Sequence, residues 1–275
     1  MSELLEAVTR AEAELLALRR DRAVAGAENE LTALYVGHFA REWRELRRKL
    51  ATFRALFPAA EALGAAETRR FIAQLSAVQT VAAAKLTKSV AEKLWKAFQA
   101  GHRQAAAQML LQVSFKAPQP RAAAWLARHA AELVKGIDET TRARVASLVT
   151  QAVEEGWSYG RTEQELKTLY DGFRAARPQL HIRSRARLIA VHEAAVGYGQ
   201  GQMELGRWLA DGGLKVEKSW LTAGGERVCE LCAGNEGDGW IGLEDDFSSG
   251  AECEPEHPGC RCVVMQQVAK EAAAA

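Results

Sequence analysis

The chain has 275 residues with a formal charge of +1, 48% hydrophobic residues and 26% charged ones, a composition that supports real cores and argues against wholesale disorder. No apolar run reaches the roughly 18 residues that a membrane-spanning helix needs. The opening stretch is acidic and amphipathic, unlike a signal peptide, so a soluble, non-exported protein without membrane contact is expected. The near-zero charge hides an asymmetry: residues 1–200 carry 30 basic and 21 acidic side chains, residues 201–275 carry 6 and 14. That split points to modules with different partners.

Up to about residue 210 the pattern is helical. Leu4, Val8, Ala11, Leu15 and Leu18 have the spacing of one apolar helical face. Gly26 interrupts it, and Leu31, Leu34, Tyr35, Phe39, Trp43, Leu46, Leu50 and Phe53 resume it as far as Pro58. The opposite face holds Arg41, Arg44, Arg47, Arg48 and Lys49, with Glu42 and Glu45 among them, and reads first as a solvated face. A further helical stretch, 66–113, carries Phe71, Leu75, Val78, Ala82, Leu86, Val90, Leu94 and Phe98, with a break expected at Gly101. The Lys-Ala-Pro-Gln-Pro segment at 116–120 is the clearest linker, because two prolines do not fit a helix interior.

Three shorter helical patterns follow. The first runs from Ala122 to Ile137 and holds His129 as a core or boundary histidine. The second is capped by Asp138 and carries Val145, Leu148, Val149, Ala152, Val153 and Trp157. Gly160 closes it, and Thr162 caps the third, which bears Leu166, Leu169, Tyr170 and Phe173 ahead of Pro178. The next helix spans about Ile182 to Trp208. Its first turns carry Arg183, Arg185 and Arg187, candidates for DNA contact. Glu193 falls on its apolar stripe, where a carboxylate is costly unless paired, so a hydrogen-bonded structural role is expected. From Leu214 the grammar changes: 214–221 and 261–268 read as strands.

All five cysteines lie between Cys229 and Cys262. Cys229-Glu-Leu-Cys232 followed by His257-Pro-Gly-Cys260-Arg-Cys262 has the two-halved spacing of a tetrahedral site, and thiolates with an imidazole suit one structural Zn2+ per chain. The expected ligands are Cys229, Cys232, His257 and either Cys260 or Cys262, with Cys253 outside the set. The rival reading, two disulfides and a spare thiol, suits an exported protein better than this one. Few apolar residues lie between the halves, so metal binding would supply folding energy. Other motifs fail: Val196 stands where H-E-x-x-H after His192-Glu193 needs a histidine, no P-loop or nucleophile elbow occurs, and Gly197-Tyr-Gly199-Gln-Gly201 suits local flexibility or close helix packing better than dinucleotide binding. No catalytic set is readable, so no enzyme is expected.

Taken in order, Glu155-Gly156-Trp157-Ser158-Tyr159-Gly160-Arg161-Thr162, then Arg185-Ala186-Arg187-Leu188-Ile189-Ala190-Val191-His192-Glu193, then Arg227-Val228-Cys229 and the closing His257-Pro258-Gly259-Cys260-Arg261-Cys262 resemble the phage Mu gpF-like and SPP1 gp7-type minor head proteins. Trp220 falls at that family's strand tryptophan. The resemblance spans roughly residues 115–268. It implies a phage or prophage minor capsid protein of head morphogenesis, found in the virion head interior and in host cytoplasm during assembly. Its implied partners are the portal and other capsid proteins, with non-specific DNA contact and no small-molecule substrate. A zinc-containing DNA-binding regulator is the alternative. The expected architecture is mainly α: an extended helical N-terminal region (1–116), a helical middle (117–212), a small zinc-stapled α+β module (213–268) and a frayed tail (269–275).

Overall fold

The computed structural model describes residues 2–56, 64–113, 119–174, 185–222 and 228–269. These form helices α1 (Ser2–Leu56), α2 (Ala65–Gln108), α3 (Pro120–Glu154), α4 (Tyr159–Arg174), α5 (Arg185–Asp211) and the short α6 (Glu230–Gly237), with strands β1 (Val216–Leu221), β2 (Trp240–Gly242) and β3 (Val263–Val268). The mainly helical class with a small β-containing end is therefore what the chain adopts. Two compact units divide it: Met1–Glu30, Lys93–Ala123 and Ile189–Ala275 form the first, Leu31–Glu92 and Ala124–Leu188 the second. The units interleave along the sequence, and α1, α2, α3 and α5 each contribute a segment to both.

In the second unit the expected stripes are buried. Leu31, Tyr35, Phe39, Trp43, Leu46 and Leu50 of α1 join Phe71, Leu75, Leu86 and Val90 of α2 and Val145, Val149, Leu166, Tyr170 and Phe173 of α3 and α4 in the core. Four boundary expectations are corrected. Gly26 does not interrupt α1; a single glycine costs a helix only about 1 kcal/mol against alanine, which the buried neighbours Val24 and Ala27 offset. Asp138 is no cap but an interior residue of α3, which runs unbroken from Pro120 to Glu154. The α3–α4 turn comes earlier than expected, at Gly156 (φ +64°), with Trp157 N–H returning to the Ala152 carbonyl at 2.8 Å. Ser158, not Thr162, caps α4 through its Oγ to the Arg161 N–H at 3.3 Å, while Thr162 is buried inside the helix.

Glu42, placed by the sequence on the solvated face, is buried too. Its Oε1 accepts from Gln79 Nε2 at 2.9 Å and from the Tyr170 hydroxyl at 3.1 Å, and its Oε2 lies 3.4 Å from His38 Nε2. Asp138 Oδ1 lies 3.7 Å from the same imidazole nitrogen. Burial, reinforced by Arg41 and Arg185, drives His38 down to about 4. Burial pushes Glu42 up to about 7 and Asp138 up to about 6.

In the first unit α2 and α5 approach backbone to backbone. A Cβ on Gly101 would lie 1.8 Å from the Tyr198 carbonyl oxygen, and one on Gly201 would lie 1.9 Å from that of Phe98. The expected break at Gly101 is thus absent: α2 continues through it to Gln108 because the missing side chain serves packing, not a turn. Of the two readings of Gly197–Gly201, local flexibility or close packing, the structure shows close packing. On another side of α5, Gly199 admits the Glu254 carbonyl, 2.3 Å from where its Cβ would stand. The antiparallel sheet has the order β2-β1-β3, with Trp220 opposite Val264 and Leu221 opposite Val263. The stripe expected over the start of α1 is corrected: Val8, Leu15 and Leu18 are exposed, while Leu16, Arg20, Val24 and Ala27 form the buried line.

Candidate metal centre

Three local structures of the first unit bring the cysteines together. Cys229 is the N-cap of α6, and its Sγ accepts from the Cys232 backbone N–H at 3.4 Å. Both thiols of the C-x₂-C pair therefore sit at a helix N-terminus, where the backbone N–H groups favour a thiolate. His257-Pro258-Gly259-Cys260 closes as a turn, with the Cys260 N–H on the His257 carbonyl at 3.0 Å and Gly259 at φ +86°. Pro at the second place and a positive-φ Gly at the third are the residues such a turn demands. The Cys260-Arg261-Cys262 segment then leads directly into β3.

The donor atoms fall into two groups sharing Cys232: Cys229, Cys232 and His257, and Cys232, Cys260 and Cys262, each mutually within 4.8 Å. His257 Nε2 lies 3.4 Å from Cys229 Sγ and 3.7 Å from Cys232 Sγ. Cys232 Sγ lies 3.8 Å from Cys260 Sγ. Around a tetrahedral ion with bonds of about 2.3 Å to sulfur and 2.0–2.1 Å to nitrogen, the ligand–ligand edges come to roughly 3.5–3.8 Å. These three separations fit, and the cysteine–histidine cluster could hold a metal. Cys253 belongs to neither group; its sulfur faces Gln200 Nε2 at 3.6 Å.

Thiols this close cannot all ionise on their own. Hydrogen bonding from the Cys262 side chain holds Cys260 down to about 5. The same bond, with burial, keeps the Cys262 proton in place, and burial pushes Cys232 up to about 12. The Cys232 backbone N–H lowers Cys229. A divalent cation removes this competition by replacing the shared protons.

Trp220 forms one wall. It is 1% exposed, meets Phe247 edge-on at 5.2 Å, and packs with Cys232, Cys260, Cys262 and Val264. Among the described residues its buried Nε1 meets no oxygen or nitrogen acceptor, and it is one of the influences favouring a thiolate at Cys262. Glu193 is buried on α5 and partnered. Arg183 lies outside the described residues. Arg185 bonds Thr141 Oγ1 and the Ile137 carbonyl and covers the rings of Phe39 and Phe173 at 5.3 and 5.1 Å, so its guanidinium is committed within the second unit. Arg187 reaches Thr32 Oγ1 at 3.4 Å.

Sequence reasoning missed α6, β2 and the contact of α1 with the cysteine loop. A Glu-Leu-Cys-Ala-Gly-Asn run is too short for helical periodicity to register, and Arg20 carries no apolar signal even though it stands four residues from Leu16 and Val24.

Residues 143–265, just under half of the chain and including every candidate ligand, match the family model described as Phage Mu protein F like protein. The chain matches no curated protein and no solved structure.

Proposed function

We propose that this protein is a minor capsid protein of phage head morphogenesis, associated with the portal and other capsid proteins at the head interior and stapled by one structural zinc. The observation that carries the reading is the Phage Mu protein F-like match over residues 143–265, which contains both halves of the cysteine–histidine cluster. We take Cys229, Cys232, His257 and Cys260 as the zinc ligands: the 229–257, 232–257 and 232–260 separations have tetrahedral edge lengths, and Cys232, shared by both groups of donors, links Cys260 to the other two. With four protein ligands the ion keeps no open position, so its contribution is folding energy and a rigid α6–β3 connection. The reading assigns the chain no catalytic step and no small-molecule substrate.

Non-specific DNA contact is assigned to the exposed arginines of α1, Arg41, Arg44, Arg47 and Arg48. Arg185 is spent on the second unit's own carbonyl and hydroxyl groups, whereas these four side chains face solvent, where Arg47 and Arg48 hold only exposed ion pairs, to Glu163 and Glu45, that phosphates can replace. Mass spectrometry of heads purified from cells producing the phage or prophage tests the assembly role. The chain is expected in the heads, and its deletion is expected to leave them incomplete or unfilled. Its absence from heads, together with a sequence-specific footprint on DNA, would replace this reading with that of a zinc-containing regulator.

A further inference from the structure

Arg20 occupies a place in the buried line of α1 where Leu16 and Val24 predict a hydrophobe, and it is 2% exposed. A guanidinium is costly to bury unless its donors are met and its charge is balanced. Its Nη1 donates to the Cys262 carbonyl at 2.5 Å, and its Nη2 reaches the Cys260 carbonyl at 3.4 Å and Asp21 Oδ1 at 3.2 Å. The other Asp21 oxygen pairs with Arg261. Two adjacent residues of α1 thus hold the Cys260-Arg261-Cys262 segment at three points: two carbonyls and the side chain between them. One turn earlier, Leu16 packs on Leu221 and Val263 and fixes the same helix against the sheet.

The geometry has a chemical consequence. With Arg261 held on Asp21, the Cys260 and Cys262 sulfurs gather with that of Cys232, all three mutually within 4.8 Å, and the two carbonyl bonds fix the peptide planes beside them. The buried positive charge also offsets thiolates gathered around a divalent ion.

We propose that Arg20 and Asp21 are outer-sphere positioning residues of the metal centre, so that α1 sets part of its metal affinity. The inference rests on reading the cysteine–histidine cluster as a metal site. It deepens that reading by adding two residues distant in sequence and outside the 143–265 family match. The arrangement is the sulfur-site counterpart of hydrogen bonds that orient first-sphere ligands, whose loss costs about 10–100-fold in affinity.

The test titrates full-length protein with Co2+ and Zn2+ against a chromophoric chelator and records the thiolate-to-cobalt absorption. Arg20→Met is expected to weaken binding about 10–100-fold and to change the cobalt spectrum. Arg20→Lys is expected to recover only part of the loss, since an ammonium cannot bridge two carbonyls as a planar fork does. Arg121→Met removes a different ion pair of the same unit, to Glu204 and Asp211, and should leave affinity and spectrum unchanged. Should Arg20→Met fail to fold, Asp21→Asn decides, because Asp21 is one-third exposed and its replacement releases only Arg261 and one Arg20 bond. Arg20 and Asp21 variants with wild-type affinity and spectrum would overturn the clamp while leaving the metal site standing. Wild-type protein that takes up neither ion would overturn the metal reading itself, and the clamp with it.

Discussion

Cys229 Sγ and His257 Nε2 lie 3.4 Å apart across 28 residues of chain, the separation expected of two ligands on neighbouring corners of one tetrahedral ion. The N-cap of α6 and the turn at His257–Cys260 bring them there.

The first prediction concerns ligand identity. Purified protein should carry close to one zinc per chain. Cys260→Ser should lose it, with affinity falling by more than about 100-fold, whereas Cys262→Ser should keep the stoichiometry, since structural sites close with four ligands. Metal analysis and competition titration check this. Equal losses from both variants would mean that Cys262, not His257 or Cys229, completes the site.

Zinc removal should also be felt beyond the cysteine loop. Because Cys260–Val263 contacts Arg20 and Leu16 of α1, chelation is expected to open the first part of α1 to protease along with residues 228–269. A C-terminal fragment that melts alone, with cleavage before residue 30 unchanged, would contradict the contact.

The buried cluster of the second unit makes a pH prediction. Glu42 faces His38 on its own helix, Gln79 of α2, Asp138 of α3, Tyr170 of α4 and Arg185 of α5. Folded, it keeps its proton to about pH 7, against 4.5 as its ordinary value. That stabilisation is complete below 4.5 and is lost as pH rises to about 7. Asp138 acts in the same direction between 3.8 and about 6. His38 acts oppositely, its stabilisation being complete above 6.5 and lost as pH falls to about 4. Glu42→Gln retains an acceptor for Gln79 and Tyr170 without the charge. It should be more stable than wild type at pH 8 by on the order of 2–3 kcal/mol, and its stability should fall less between pH 5 and 7. Parallel wild-type and variant profiles in denaturant titrations would refute it.

Two glycines separate conformational from steric roles. Gly101→Ala forces a methyl group into the Tyr198 carbonyl and should cost about 3 kcal/mol or more, the upper range of overpacking. Gly26→Ala meets nothing within 4 Å on a helix and should gain about 0.5–1 kcal/mol. Thermal unfolding of the pair tests both signs.

For DNA, replacing Arg41, Arg44, Arg47 and Arg48 by Gln should lower affinity and flatten its salt dependence by about 0.9 in slope for each phosphate left unneutralised. Arg185→Ala should instead destabilise the second unit by about 2 kcal/mol, the worth of a charged hydrogen-bond set and its ring interactions. An Arg185 variant that is fully stable but fails to bind DNA would reverse the assignment.

The amino-acid sequence by itself determined the helical class, the apolar lines of α2 to α4, the two principal strands and the five candidate ligands. Each of these depends on local spacing: 3.6-residue or two-residue periodicity, a C-x₂-C chelate, a second cysteine–histidine half some 24 residues on. The tertiary structure decided what depends on contacts between distant segments. Gly101 looks like a helix break until Tyr198 crosses it, and Glu42 looks solvated until Gln79 and Tyr170 close over it. Arg20 looks like one more surface charge until the Cys260 and Cys262 carbonyls meet it. In each case a locally unfavourable residue, a helical glycine or a buried charge, is stabilised by a partner dozens to hundreds of positions away, which no local pattern can encode.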